Sequence, residues 1–245
     1  MDSWERVDRY WARELGLDSS LASMPPIYCT VQHHYSGVRL FSNGERLIIA
    51  SPPDRAEQIK KATVGITPEE AFSVDWLQRV FAYDAEKIRG PAEVCYADEM
   101  SFRAEPGQGG RALLASEYDA YSALVESLDP KEAEESGVQF PVSSSQFPDA
   151  FPAFGAFSEG TLCSVASYEV WQPSIAQIHI VTHPKYRRRG FARAAVQALA
   201  AEALDRGLIL QWRAHVWNEG SLSLARALGF EYYCSTLYVR LRNPV

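Results

Sequence analysis

Three consecutive arginines and a glycine, Arg187-Arg188-Arg189-Gly190, stand between an apolar run at residues 178–182 and an alanine-rich stretch that closes on Gly207. Arginine is always charged and presents planar N–H groups suited to phosphate oxygens. Glycine lets the backbone approach a ligand without a Cβ in the way. This spacing of charge and glycine is suited to holding a small polyanion such as a pyrophosphate.

Two elements must position these groups. Residues 178–182, IHIVT, read as a short apolar strand that turns at His183-Pro184. Residues 191–206, FARAAVQALAAEALDR, read as a helix with Gly207 at its end. The first backbone N–H groups of a helix have no internal acceptor, and the helix dipole favours negative charge there. The basic loop therefore delivers the chain to an anion-binding helix end.

RRRGFA has the form Q/R-x-x-G-x-G/A, with Arg187, Gly190 and Ala192 on the fixed positions. A second pattern follows at Asn218 and Ser221, then a short helix and Leu228-Gly229-Phe230. In these two motifs the chain resembles the GNAT superfamily, the GCN5-related N-acetyltransferases, from residue 111 to the C-terminus. The resemblance implies acetyl-CoA as co-substrate and an amine acceptor, either a small molecule or a protein, attacked directly in a ternary complex. It implies that the backbone of Ile180, Val181 and Thr182 pairs with the pantetheine arm. Arg187, Arg188, Arg189, Gly190, Phe191, Ala192 and Arg193 would cradle the pyrophosphate, and Asn218 and Ser221 would lie near the pantetheine.

The chain departs from the family in its proton-handling groups. Many members have a glutamate at the start of the strand before the loop and a tyrosine about two turns after the asparagine. The matching residues here are Ala176 and Ala225. The catalytic residues are therefore not given by the resemblance, and the candidates are His179, Glu169 and Tyr233. His179 has the intrinsic pKa of a general base; a buried or edge histidine is its other reading. Alternation places it on one face with Gln177 and Val181.

The chain has 245 residues, a formal net charge of -7 and four isolated cysteines with no C-x-x-C pair. Isolated cysteines point to reduced thiols in a cytoplasmic protein, and no ligand cluster suggests a metal. No apolar run is long enough to span a bilayer, and the charged N-terminus carries no secretory segment. From residue 171 onward there are 10 Lys/Arg against 4 Asp/Glu, and 14 against 27 before it. The acidic total argues against a nucleic-acid binder, and the local basic excess suits a small polyanion.

The wider pattern predicts an α/β (α+β) fold: a mixed, mostly antiparallel GNAT-type sheet flanked by helices, preceded by a smaller N-terminal α+β domain. Trp4, Val7, Trp11 and Leu15 recur at helical spacing. Asn43-Gly44 between apolar runs predicts a hairpin. Thr67-Pro68-Glu69-Glu70 predicts a capped helix start, and Asp54 a helix cap. AEPGQGG at 104–110 predicts a linker, with an accessory domain over 1–105 and an acetyltransferase domain over 110–245. A charged, poorly periodic stretch at 131–140 and a serine-bearing loop at 142–150 follow. Glu159-Gly160 predicts a tight turn between strands. After Phe230 there is room for one long strand where the family has two. The missing strand would come from the N-terminal part or from a second copy, so a homodimer is among the expected assemblies. The leading expectation is an acetyl-CoA-dependent N-acetyltransferase. A catalytically inactive acyl-CoA-binding sensor or interaction module is the alternative.

Overall fold

The computed structural model describes residues 2–17, 24–33, 35–105, 109–138, 152–171 and 174–242. The loop expected at 142–150 lies outside the described residues, as does 106–108 of the expected linker. The chain is a mixed α/β protein whose sheet strands are mostly antiparallel and flanked by helices. It divides into two compact units, residues 1–95 with 213–222 and 232–245, and residues 96–212 with 223–231.

The first unit opens with helix α1 (Ser3–Glu14), which buries Val7, Tyr10 and Trp11 along one face. Strands β1 (Ile27–Val31), β2 (Val38–Ser42) and β3 (Leu47–Ser51) follow. The β2–β3 hairpin turns at Gly44, φ 90°, while Asn43 Oδ1 accepts from the N–H groups of Glu45 and Arg46. Helices α2 (Ala56–Ala62), α3 (Pro68–Ala71) and α4 (Val74–Val80) then cover one face. Thr67 and Glu70 form a reciprocal capping box at α3. Asp54 instead falls in a 3-10 turn, Pro53–Arg55, and α2 begins without a side-chain cap. Proline at 53 fixes the tighter turn and displaces the helix start to Ala56.

Strand β4 (Ala85–Ala97) and the last strand, β10 (Glu231–Leu241), complete this sheet in the order β1-β3-β2-β10-β4. β10 pairs antiparallel with β2, from Ser235 opposite Ser42 to Val239 opposite Val38. Its apolar side, Leu237, Val239 and Leu241, joins Leu40, Leu47, Ile49, Ile59 and Leu77 in one core. Burying each such side chain is worth about 1.5–3 kcal/mol. The N-terminal part of the chain thus supplies the partner strand that the C-terminal segment lacks by itself.

The second unit contains β5 (Gly110–Ala112), α5 (Tyr118–Glu126), α6 (Pro130–Ser136), β6 (Ala153–Ser158), β7 (Thr161–Trp171), β8 (Ile175–Thr182), α7 (Phe191–Asp205) and the start of β9 (Ile209–His215). The order is β9-β8-β7-β6-β5; all these pairs are antiparallel except β8 with β9. Glu159 (φ 48°) and Gly160 (φ 81°) make the β6–β7 turn, a left-handed pair that matches strand twist. The charged stretch after residue 130 begins as α6, with Asp129 as its N-cap. Register sets the two faces of the sheet. Val165, Ser167 and Glu169 of β7 lie opposite Val181, His179 and Gln177 of β8, and Val165 and Val181 join the core with Leu124 and Leu128 beneath α5. The other face carries Ala166, Tyr168, Ile178 and Ile180. There the Tyr168 hydroxyl donates to Glu202 of α7 at 2.5 Å. β5 passes so close to α7 that a Cβ on Gly110 would collide with the Ala194 carbonyl oxygen.

Candidate functional site

β8 is paired along its whole length with β7, but with β9 only at Ile175, Ala176 and Gln177. Beyond Gln177 the second edge of β8, residues 178–182, has no partner strand among the described residues of the unit. An unpaired edge presents backbone N–H and C=O groups to any extended, amide-bearing chain.

The parting of the strands is marked by buried polar side chains. The Tyr96 hydroxyl donates to Gln211 Oε1, Gln211 Nε2 donates to Gln177 Oε1, and Gln177 Nε2 donates to the Ile178 carbonyl. All three side chains are at most 4% exposed. Gln177 therefore occupies the Ile178 carbonyl at the first position after the pairing ends. These residues were not singled out in the sequence; glutamines inside IAQIHIVT and ILQWRAH were the available signal.

The end of β8 is fixed by Ser164, whose Oγ donates to the Val181 carbonyl at 2.7 Å and lies 2.9 Å from Thr182 Oγ1. Val181 points into the core, and its carbonyl is taken by Ser164 on the β7 side, so the open edge of β8 is presented by the backbone of Ile180 and Thr182. A 3-10 turn, Pro184–Tyr186, leads into the arginine loop. Arg188 (φ 58°) and Gly190 (φ 88°) are both left-handed. Gly190 is the N-cap of α7, with no side-chain cap and no acidic residue in the first turn. The first intrahelical bond runs from Ala194 N to Gly190 O at 3.0 Å. The amides of Phe191, Ala192 and Arg193 are thus left without intrahelical acceptors at the positive end of a 15-residue helix.

The arginines divide by partner. Arg187 Nη2 meets Glu132 of α6 at 2.5 Å, and its Nε donates to the Thr182 carbonyl at 3.3 Å. Arg193 pairs with Glu105 at 2.6 Å. Arg189 lies over the Tyr186 and Phe191 rings, 5.3 and 5.5 Å from their centroids. Arg188 is exposed and has no carboxylate partner among the described residues. A free cation, a bare helix end and an open strand edge fit a ligand with a pyrophosphate at one end and an amide-bearing arm.

The family model for GNAT acetyltransferases matches residues 124–237. In three dimensions the chain is similar to a GNAT-family protein from Novosphingobium aromaticivorans DSM 12444, with a TM-score of 0.52 and 19% identity over 66% of this chain and 67% of that one. It is similar also to a conserved protein of unknown function from Staphylococcus epidermidis ATCC 12228, with a TM-score of 0.51 and 12% identity over 71% and 69%. No functionally curated protein matches it in sequence. The C-terminal half of the chain carries a domain of the GNAT superfamily.

In this GNAT domain the two positions of the usual proton-handling pair, Ala176 and Ala225, are both fully buried. Neither could present a group to solvent or ligand without repacking the core. Glu169, half-buried on β7, accepts from Trp171 Nε1 at 3.2 Å. His179 is on the α5–α6 face, as alternation requires. Its Nδ1 is 3.1 Å from the Ser136 carbonyl, and Nε2 is buried with no hydrogen-bond partner. Gly137 (φ 64°) ends α6 directly over the ring; a Cβ there would lie 2.5 Å from Nδ1. Burial pushes the His179 imidazole below its ordinary pKa, opposed by the carboxylate of Glu169.

The remaining candidates lie in the first unit. The Tyr233 hydroxyl donates to Asp8 of α1 at 2.6 Å and its ring stacks on Trp4. Burial, then the Asp8 carboxylate, drives its pKa upward, so this phenol is held protonated. Asn218 Oδ1 accepts from Ser221 N at 3.1 Å, which caps the helix α8 (Glu219–Ala227). His215 stacks on Trp217 at 4.3 Å with the rings 8° from parallel.

Proposed function

We propose that this chain transfers the acetyl group of acetyl-CoA to a primary amine, by direct attack of the amine on the bound thioester. The observation that carries the reading is the continuity of an unpaired strand edge, Ile178–Thr182, with a left-handed loop and the bare N-terminus of α7. The arm of CoA would add to the edge of β8 through the backbone of Ile180 and Thr182; Val181, expected to share in this, turns its backbone to β7. Its pyrophosphate would take the amides of Phe191, Ala192 and Arg193, with Arg188 and Arg189 supplying charge. When bound, acetyl-CoA supplies the activated acyl carbon; the chain supplies alignment. The acceptor is a small-molecule or protein amine, and the chain works in the cytoplasm. Among the described residues no helix is long and apolar enough to cross a membrane, and no cluster of three metal-ligating side chains occurs.

Two measurements test this. Calorimetry should show acetyl-CoA binding that is weakened by Arg188→Glu. Thiol release from acetyl-CoA should then depend on an added amine from a panel of alkylamines, diamines, amino-acid amides and lysine peptides. Binding with no amine-dependent thiol release would mark the chain as an acyl-CoA-binding module and sink the transferase reading.

A further inference from the structure

The two alanines at the usual acid and base positions leave the transfer without an obvious proton acceptor, and one side chain of the GNAT domain has the geometry of one. We propose that His179 takes the proton from the attacking amine through Nε2. The proposal rests on the transferase reading above.

The carbonyl of Ser136 can only accept a hydrogen bond, so the proton of the neutral imidazole is fixed on Nδ1. The ring nitrogens point to opposite sides of the imidazole. Nε2 therefore carries a lone pair facing away from Ser136, and it has no partner among the described residues. A histidine with a purely structural role would be expected to satisfy both nitrogens when buried. Gly137 adds a second constraint: any side chain there would displace the ring, and its left-handed conformation lets the chain turn over the imidazole. His179 also lies within residues 178–182, the part of β8 whose second edge is open. It is thus on the strand proposed to run beside the thioester arm.

On the elements of this face, β7, α6 packed on β8, and α5 packed on β7 and α6, the charged groups are Glu169 on β7, Lys131, Glu132, Glu134 and Glu135 on α6, and Asp119 and Glu126 on α5. Of these, the Glu169 carboxylate opposes the effect of burial on His179, favouring the imidazolium that proton transfer would create. Burial keeps the resting ring neutral, which a base requires. The step balances as follows. The amine nitrogen bonds to the acyl carbon, the C–S bond breaks, and the amine proton passes to Nε2. The departing thiolate of CoA then takes up a proton from the imidazolium or from water, giving amide and free thiol.

Asparagine and glutamine separate the roles of the two nitrogens. His179→Asn keeps a donor where Nδ1 sits and removes Nε2; His179→Gln reaches the Nε2 position and loses the tie to Ser136. With any amine that the wild type acetylates, His179→Asn should lower kcat/KM by about 10²–10⁴-fold and leave acetyl-CoA affinity within about twofold. The acidic limb of the wild-type pH profile should disappear from the residual rate. Ring nitrogen NMR of the wild type should show Nδ1–H and unprotonated Nε2 at neutral pH. An Asn variant within about fivefold of wild type, or an Nε2–H tautomer, overturns the proposal while the transferase reading stands. Wild type that binds acetyl-CoA but acetylates no amine overturns the transferase reading, and the catalytic role of His179 falls with it.

Discussion

Replacing Gly190 by alanine would perturb the arginine loop at its most constrained point. Gly190 has φ 88° and ψ -6° as the N-cap of α7. An L-residue in the left-handed region costs about 1–2 kcal/mol. That energy can go to two places. If the loop keeps its shape, the folded state bears it, and Tm falls by about 2–8 °C for a chain of this size. If the loop relaxes, the amides of 191–193 leave their arrangement, and acetyl-CoA affinity falls by about 5–30-fold. Calorimetry and a thermal melt, run on the same protein, measure both parts. Arg188→Asn is the companion: asparagine tolerates the φ of 58° but removes the charge, so affinity should weaken with Tm unchanged. If Gly190→Ala leaves affinity within twofold and Tm within 1 °C, by these magnitudes, the loop is not the constrained anion site described above.

Glu132→Gln releases Arg187 from a half-exposed ion pair, so stability should change by no more than about 1 kcal/mol. Acetyl-CoA affinity should rise by about two- to fivefold as the guanidinium becomes available, an energy of about 0.4–1 kcal/mol; unchanged binding by calorimetry would show that Arg187 does not face the donor. Gln211→Leu removes the acceptor of the Tyr96 hydroxyl and the donor to Gln177, and should cost about 1–3 kcal/mol in urea unfolding. A loss under about 0.5 kcal/mol would mean that the buried chain contributes nothing net. His179 is held below its unfolded pKa of 6.5, so the unfolded chain binds the proton first as pH falls. Stability should therefore drop on acidification from 6.5 toward the lower folded value, and His179→Asn should flatten that slope; an unaltered slope by denaturant titration at each pH refutes it.

The strand, loop and helix of the candidate site were legible in the sequence because they are local. An apolar strand, a proline turn, arginines, one glycine and a run of strong helix formers each act within a few residues of themselves, and RRRGFA keeps them contiguous. The hairpin at Asn43-Gly44 and the capping box at Thr67 were legible for the same reason. Departures came where neighbours compete: at Asp54 the adjacent prolines impose a 3-10 turn, and the charged run after residue 130 gains its helix from the Asp129 cap and Pro130 rather than from periodicity.

Tertiary structure decided what those pieces do. The partner of β10 is β2, nearly two hundred residues earlier in the chain, and no local pattern in FEYYCSTLYVRL names it. The open edge of β8 exists only because pairing with β9 ends at Gln177, where buried glutamines take up hydrogen bonds that a continued ladder would have made. Alternation gave the face of His179, but the fixing of its tautomer needed a carbonyl 43 residues away, at the end of a helix that folds back over the ring. The charge on Arg187 was evident from its identity; that Glu132 holds it was set by where α6 docks. Residue type and spacing thus determined which groups the chain owns, because those are properties of neighbouring atoms. Which of them remain unsatisfied, and so available for chemistry, depended on contacts between segments far apart in sequence.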